Sequence, residues 1–151
     1  MSETRPPSRV HVTWAGGQRF DAGRPGGPTL RLDGKGETGQ SPVDAVLSAL
    51  ASCVSIDIVE ILAKRRTPVE RLAIAVTGER ANATPRRLTA VELSFSIDGA
   101  GIDREQATRA IDLSINKYCS VRDSLARDIA ISWNLVLNGE PGAPGESRAS
   151  V

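Results

Sequence analysis

The segment from Ser41 to Arg66 constrains this chain more than any other, because it reads as one long helix with apolar or small residues almost all the way round. Ser41 suits the N-cap, Pro42 suits the first helical position, and Asp44 falls three residues after the cap, as in a capping box. At about 100° per residue, Val43, Val46, Leu47, Leu50, Val54, Ile58 and Ile61 share a broad face. The other side carries Ala45, Ala49, Ser52, Ile56, Val59 and Ala63 instead of charges. Lys64, Arg65 and Arg66 suit the negative end of the helix dipole, and Pro68 stops the helix. Such a helix needs cover on both sides, and one modest sheet covers only one. A second copy of the chain is the economical cover, so the pattern predicts a long buried central helix in a homodimer.

The remaining segments supply that sheet. Val10, Val12 and Trp14 alternate with polar residues and lead through Gly16-Gly17 into a second strand around Phe20; Thr29 to Asp33 makes a third. After the helix, Val69 to Glu79 and Arg87 to Asp98 alternate as amphipathic strands. Asp103 with Gln106 marks the start of a second helix, whose buried stripe is expected to be Ala107, Ala110, Ile111, Ser114 and Tyr118. Ser120 with Asp123 repeats that signature for a short third helix, and Ile129 to Leu137 closes as a strand. The order β-β-β-α-β-β-α-α-β reads as an α+β fold. The domain is expected to span residues 1–138, with 139–151 a disordered Pro/Gly/Ser-rich tail.

Composition removes several classes of function. Lys+Arg number 19 against Asp+Glu 18, and only 3% of residues are aromatic, so neither a basic patch nor stacking platforms point to nucleic acid. The N-terminus lacks an apolar core of a signal peptide, which favours a cytoplasmic location. Asp44, Ser48, Ser52, Asp57 and Glu60 interrupt the longest apolar run, so no membrane span is expected. With one histidine and two cysteines, a zinc site is not expected either, and no bound cofactor is foreseen.

The two cysteines carry the remaining chemistry. Cys53 lies at the edge of the helix's apolar face, beside Val46, Asp57, Glu60 and Lys64. A thiol there is either a small buried hydrophobe or a sheltered nucleophile. The Asp57 carboxylate one turn away disfavours thiolate, so a nucleophile needs a cation, with Arg19 first and Arg24 second as candidates. Cys119 directly precedes a helix start, where the dipole favours thiolate; otherwise it plugs the joint between two helices.

The blocks Ser41-Pro42-Val43-Asp44, Ala49-Leu50-Ala51-Ser52-Cys53 and Lys117-Tyr118-Cys119-Ser120-Val121 resemble the osmotically inducible protein C / organic hydroperoxide resistance (OsmC/Ohr) family, nearer its general OsmC-like branch. Val12-Thr13-Trp14 and Thr77-Gly78-Glu79-Arg80 fit the same resemblance, which spans roughly Val10 to Leu137. It implies intertwined homodimers and a thiol peroxidase acting on organic hydroperoxides. By position, Cys53 is then peroxidatic and Cys119 resolving, with Arg19 and Asp44 as thiolate-supporting residues and an external dithiol, of lipoyl type, as reductant. Val46, Leu50 and Val54 are expected to wall the site and favour bulky alkyl peroxides. The rival class is a non-catalytic dimer that binds a small apolar or electrophilic ligand between subunits.

Overall fold

The computed structural model describes residues 3–142, and the chain divides into two compact units that meet within the first turns of the long helix, at Val46/Leu47. In the first unit, β1 (His11–Trp14), β2 (Arg19–Gly23) and β3 (Thr29–Asp33) form an antiparallel sheet in that order. Gly16 and Gly17 take φ of 93° and 59° in the β1–β2 turn, a region closed to most side chains. The register pairs Trp14 with Phe20 and Phe20 with Leu32, and Val12 with Ala22 and Ala22 with Leu30. Paired residues share a face, so one side of this sheet is apolar, and it is open: Trp14 is 66% exposed. The other side is polar and carries the Asp21–Arg31 ion pair at 2.7 Å, which lowers the Asp21 pKa. At the end of β3 the Asp33 carboxylate accepts from Lys35 N, Thr38 N and the Thr38 hydroxyl, which holds its pKa down to about 2 and shapes the following loop.

The long helix α1 (Pro42–Lys64) begins as its sequence requires: Ser41 Oγ accepts from Asp44 N and Asp44 Oδ2 accepts from Ser41 N, both at 3.1 Å. In the second unit, β4 (Arg71–Arg80), β5 (Leu88–Asp98), β6 (Ala130–Leu137) and β7 (Glu140–Pro141) make one sheet in chain order. The β5–β6 pair is parallel, joined through α2 (Arg104–Leu113), a π-helical turn (Ser114–Tyr118) and α3 (Ser120–Ser124). Across the strands, Ile74–Phe95–Leu135 and Val76–Leu93–Trp133 stand in rows on one face. The other face pairs Ala75 with Ser94 and Ser94 with Asn134. The apolar rows are the core, with Phe95 and Trp133 edge to face at 6.5 Å. Leu47 of α1 lies over β4 at Gly78, where a Cβ would come within 3.0 Å of it, so the glycine admits the helix.

The α1 helix is covered along one stripe, by Leu50, Ala51, Val54, Ile58 and Leu62, while Ile56 is 60% and Val59 43% exposed, the one-sided cover expected when one chain supplies one sheet. Three expectations need correction. By length and a mean hydropathy of 2.0, α1 is also apolar enough to cross a membrane, since its polar residues are too sparse to lower the average; a core helix has the same composition. Ordered chain continues past residue 138. Asn138 and Gly139 both have positive φ, the requirement of a tight two-residue hairpin turn, and β7 pairs back on β6. Residues 143–151 of the expected tail lie outside the described residues. Finally, Tyr118 is 49% exposed and leaves the buried stripe of Ala107, Ala110, Ile111 and Ser114. The π turn is wider than an α turn, so the side chains beyond Ser114 slip out of phase.

Candidate functional site

The fold brings the two cysteines together. Cys53 is half-buried on α1, and Cys119 follows the π turn, where its N–H donates to Ser114 O at 2.9 Å. That five-residue spacing ends the helix, and Cys119 turns extended, with φ −73° and ψ 104°. Its side chain then lies close enough to Cys53 for the two thiols to influence each other's titration, and both are free. Cys119, not Ser120, is the N-cap of α3, and its Sγ accepts the Arg122 N–H at 3.3 Å. The capping role thus falls one residue earlier than the Ser120/Asp123 pattern implies. Asp123 pairs with Arg127 at 2.6 Å instead.

The electrostatics separate from the expectation at Cys119. The helix start does favour its thiolate through the Arg122 N–H, but the residue is only 3% exposed. Burial dominates and, with a smaller upward push from Cys53, raises the thiol pKa to about 11. Cys119 therefore rests as a thiol. Near Cys53, burial and then the Glu60 charge raise the Asp57 pKa.

Arg122 is the residue that pattern reading passes over. It is 7% exposed, and its guanidinium donates to the carbonyls of Ala126 at 3.2 Å, Arg127 at 3.5 Å and Ile129 at 3.1 Å. One arginine thus ties down the loop after α3 through its side chain and the Cys119 sulfur through its backbone. A lone arginine in a polar stretch gives no sign of burial. The π turn is equally silent in sequence.

Two cavities flank Tyr118. One, of about 240 Å³, is lined by Lys117, Cys119, Ser120, Arg122 and Arg127 among others; the second, of about 540 Å³, runs along α1 past Asp57, Ile61 and Lys64. Leu50 and Val54 have no exposure and belong to the core, so they do not wall an open site; Val46 is half-buried. Asp44 is held in its capping box, two and a half turns before Cys53 in sequence. Arg19 lies exposed in β2, with Nε donating to Gly16 O at 3.3 Å, and Arg24 follows β2, also exposed. Among the described residues, no three His, Cys, Asp or Glu side chains converge as a metal-binding group.

Comparison with known proteins agrees with this architecture. Residues 34–134 match the family model described as OsmC-like protein. Protein YhfA of Escherichia coli K12 is 34% identical over 125 residues, covering 82% of this chain and 93% of YhfA. An OsmC-like protein from Mycoplasma pneumoniae superposes with a TM-score of 0.75 at 18% identity, over 89% of this chain and 99% of its own. The organic hydroperoxide resistance protein OhrB of Bacillus subtilis gives 0.58 at 14% identity, over 85% and 96%. At those identities the two structures speak for the fold; the family model and YhfA reach further. The chain belongs to the OsmC-like protein family.

Proposed function

We propose that this protein is a thiol peroxidase that reduces organic hydroperoxides, with Cys53 peroxidatic and Cys119 resolving. The observation that carries the reading is the proximity of the two free thiols, near enough that Cys53 shifts the Cys119 pKa, which puts both sulfurs within reach of one chemistry. The Cys53 thiolate attacks the peroxide and the O–O bond breaks. One oxygen stays on sulfur as sulfenic acid, and the other leaves as alkoxide and takes a proton to become the alcohol. The Cys119 sulfur then attacks the sulfenic sulfur, forming the disulfide and releasing water. An external dithiol, of lipoyl type, returns both residues to thiols. Arg19 is the first choice for the cation that supports the Cys53 thiolate and Arg24 the second, with Asp44 the acidic candidate for the same support.

A homodimer completes this reading. The exposed apolar face of the first unit's sheet and the bare side of α1 at Ile56 and Val59 are surfaces that a second copy would bury. Structural neighbours named as organic hydroperoxide resistance proteins give the substrate class a precedent.

Cys119→Ser separates the roles. With dimedone present, the variant is expected to consume about one equivalent of cumene hydroperoxide per chain and then stop, with Cys53 trapped as the dimedone adduct; without dimedone, a second equivalent carries the sulfenic acid to sulfinic acid before consumption stops. Sustained turnover at the wild-type rate would remove Cys119 from the cycle.

A further inference from the structure

We infer that the cleft beside Tyr118 and Cys119 is the entry port for the reductant, and that it selects a small dithiol whose skeleton also carries a negative charge, a carboxylate or phosphate. This rests on the redox reading of Cys53 and Cys119, and it adds where the reductant enters and what distinguishes it.

The cleft holds about 240 Å³, room for a few heavy atoms, and Cys119, not Cys53, lines it. Its charges are unequal. Lys117, Arg122 and Arg127 line it with one acid, Asp123, and that acid is paired with Arg127 at 2.6 Å. Arg122 has no carboxylate partner among the described residues; it donates to neutral carbonyls, so its charge persists inside the wall. The Lys117 ammonium is held 5.4 Å from the centre of the Tyr118 ring, at the border of the cleft. The lining of the cleft thus carries more positive than negative charge, and Cys119 is part of that lining. A bound anion would be favoured there, and the thiol beside it would be brought to Cys119.

The exchange is balanced. The incoming thiolate attacks Cys119 Sγ, the Cys53–Cys119 bond breaks, and Cys53 leaves with the electron pair and takes a proton. A second thiol then attacks the incoming sulfur, becomes disulfide-bonded to it, and releases Cys119 as thiolate for protonation. Burial makes Cys119 the poor leaving group in the first step, which directs attack to its sulfur. The Arg122 N–H at 3.3 Å is placed to receive the Cys119 thiolate in the second.

The test does not need the disulfide. In a Cys53→Ser protein, Cys119 is alkylated at pH 9 by iodoacetate, which is anionic, or by iodoacetamide, which is neutral, and followed by intact mass. The iodoacetate-to-iodoacetamide rate ratio is expected to exceed that of the same chain unfolded in urea by about five-fold or more. Lys117→Gln and Ser120→Glu, the second placing a carboxylate at the start of α3, should each pull the ratio back toward the unfolded value. A folded ratio equal to the unfolded one, or a ratio untouched by both substitutions, overturns the proposal. Peroxide consumption by the wild type reports separately on the redox reading, so the two can fail independently.

Discussion

Cys53→Ser is expected to abolish hydroperoxide consumption, with a loss of at least about 10⁴-fold, because removal of a nucleophile leaves only binding and polarisation behind. A serine hydroxyl does not become an anion near neutral pH and forms no stable oxygenated product. The substitution should leave stability almost unchanged. Cys53 is half-buried, and sulfur to oxygen is a small change at the edge of a helix that back-bonded serines already flank: Ser52 Oγ donates to Ser48 O and Ser55 Oγ to Ala51 O. A cumene hydroperoxide assay alongside urea denaturation separates the two effects. Activity that survives in a folded Cys53→Ser protein would move the chemistry elsewhere.

Arg122→Ala carries the largest expected loss of stability. The two shorter guanidinium bonds, to Ala126 and Ile129, are charge-assisted, the first part-buried and the second buried, and hydrogen bonds to charged groups contribute about 1.5–3 kcal/mol each. Removing them leaves carbonyls unpaired inside the loop, so a loss of about 3 kcal/mol or more is expected in urea unfolding. That is a large share of an ordinary domain's margin. Arg122→Lys should recover part of it, since an ammonium keeps the charge but lacks the planar fork. In the lysine variant the step from Cys53 sulfenic acid to disulfide should also slow, because the loop that positions Cys119 is looser. Wild-type stability in both variants would mean that the buried guanidinium is not the tie.

The sequence made the strands and the caps at Ser41 and Asp103 legible for a common reason: each depends on side chains at short, regular spacing, whereas the residues alone left open whether the two distant thiols meet. The cap at Asp103 is realised as written, with Gln106 N donating to Asp103 Oδ1 at 2.8 Å. Asn138-Gly139 was legible too, as the strongest short hairpin signal there is, but the strand after it, Glu140–Pro141, is only two residues long and has no apolar alternation, so the Pro/Gly/Ser composition downstream outweighed it. What sequence spacing could not carry was the phase slip after Ser114. It depends on one five-residue hydrogen bond, and it moved Tyr118 to the surface and Cys119 onto the cap. The balance at Cys119 was hidden for a different reason. A helix start lowers a thiol's pKa and burial raises it, and only the packed structure says which is larger. The one-sided cover of α1 is legible in both: the all-round apolar pattern asks for more than this chain's own sheet provides.

The most direct test is the intact mass of the reduced protein after one equivalent of cumene hydroperoxide, followed by a non-reducing peptide map. The expected result is a loss of two hydrogens per chain with Cys53 and Cys119 joined in one cross-linked peptide pair. An unchanged mass, or a gain of oxygen on Cys53 with Cys119 still free, would contradict the pairing of the two thiols on which the proposed cycle depends.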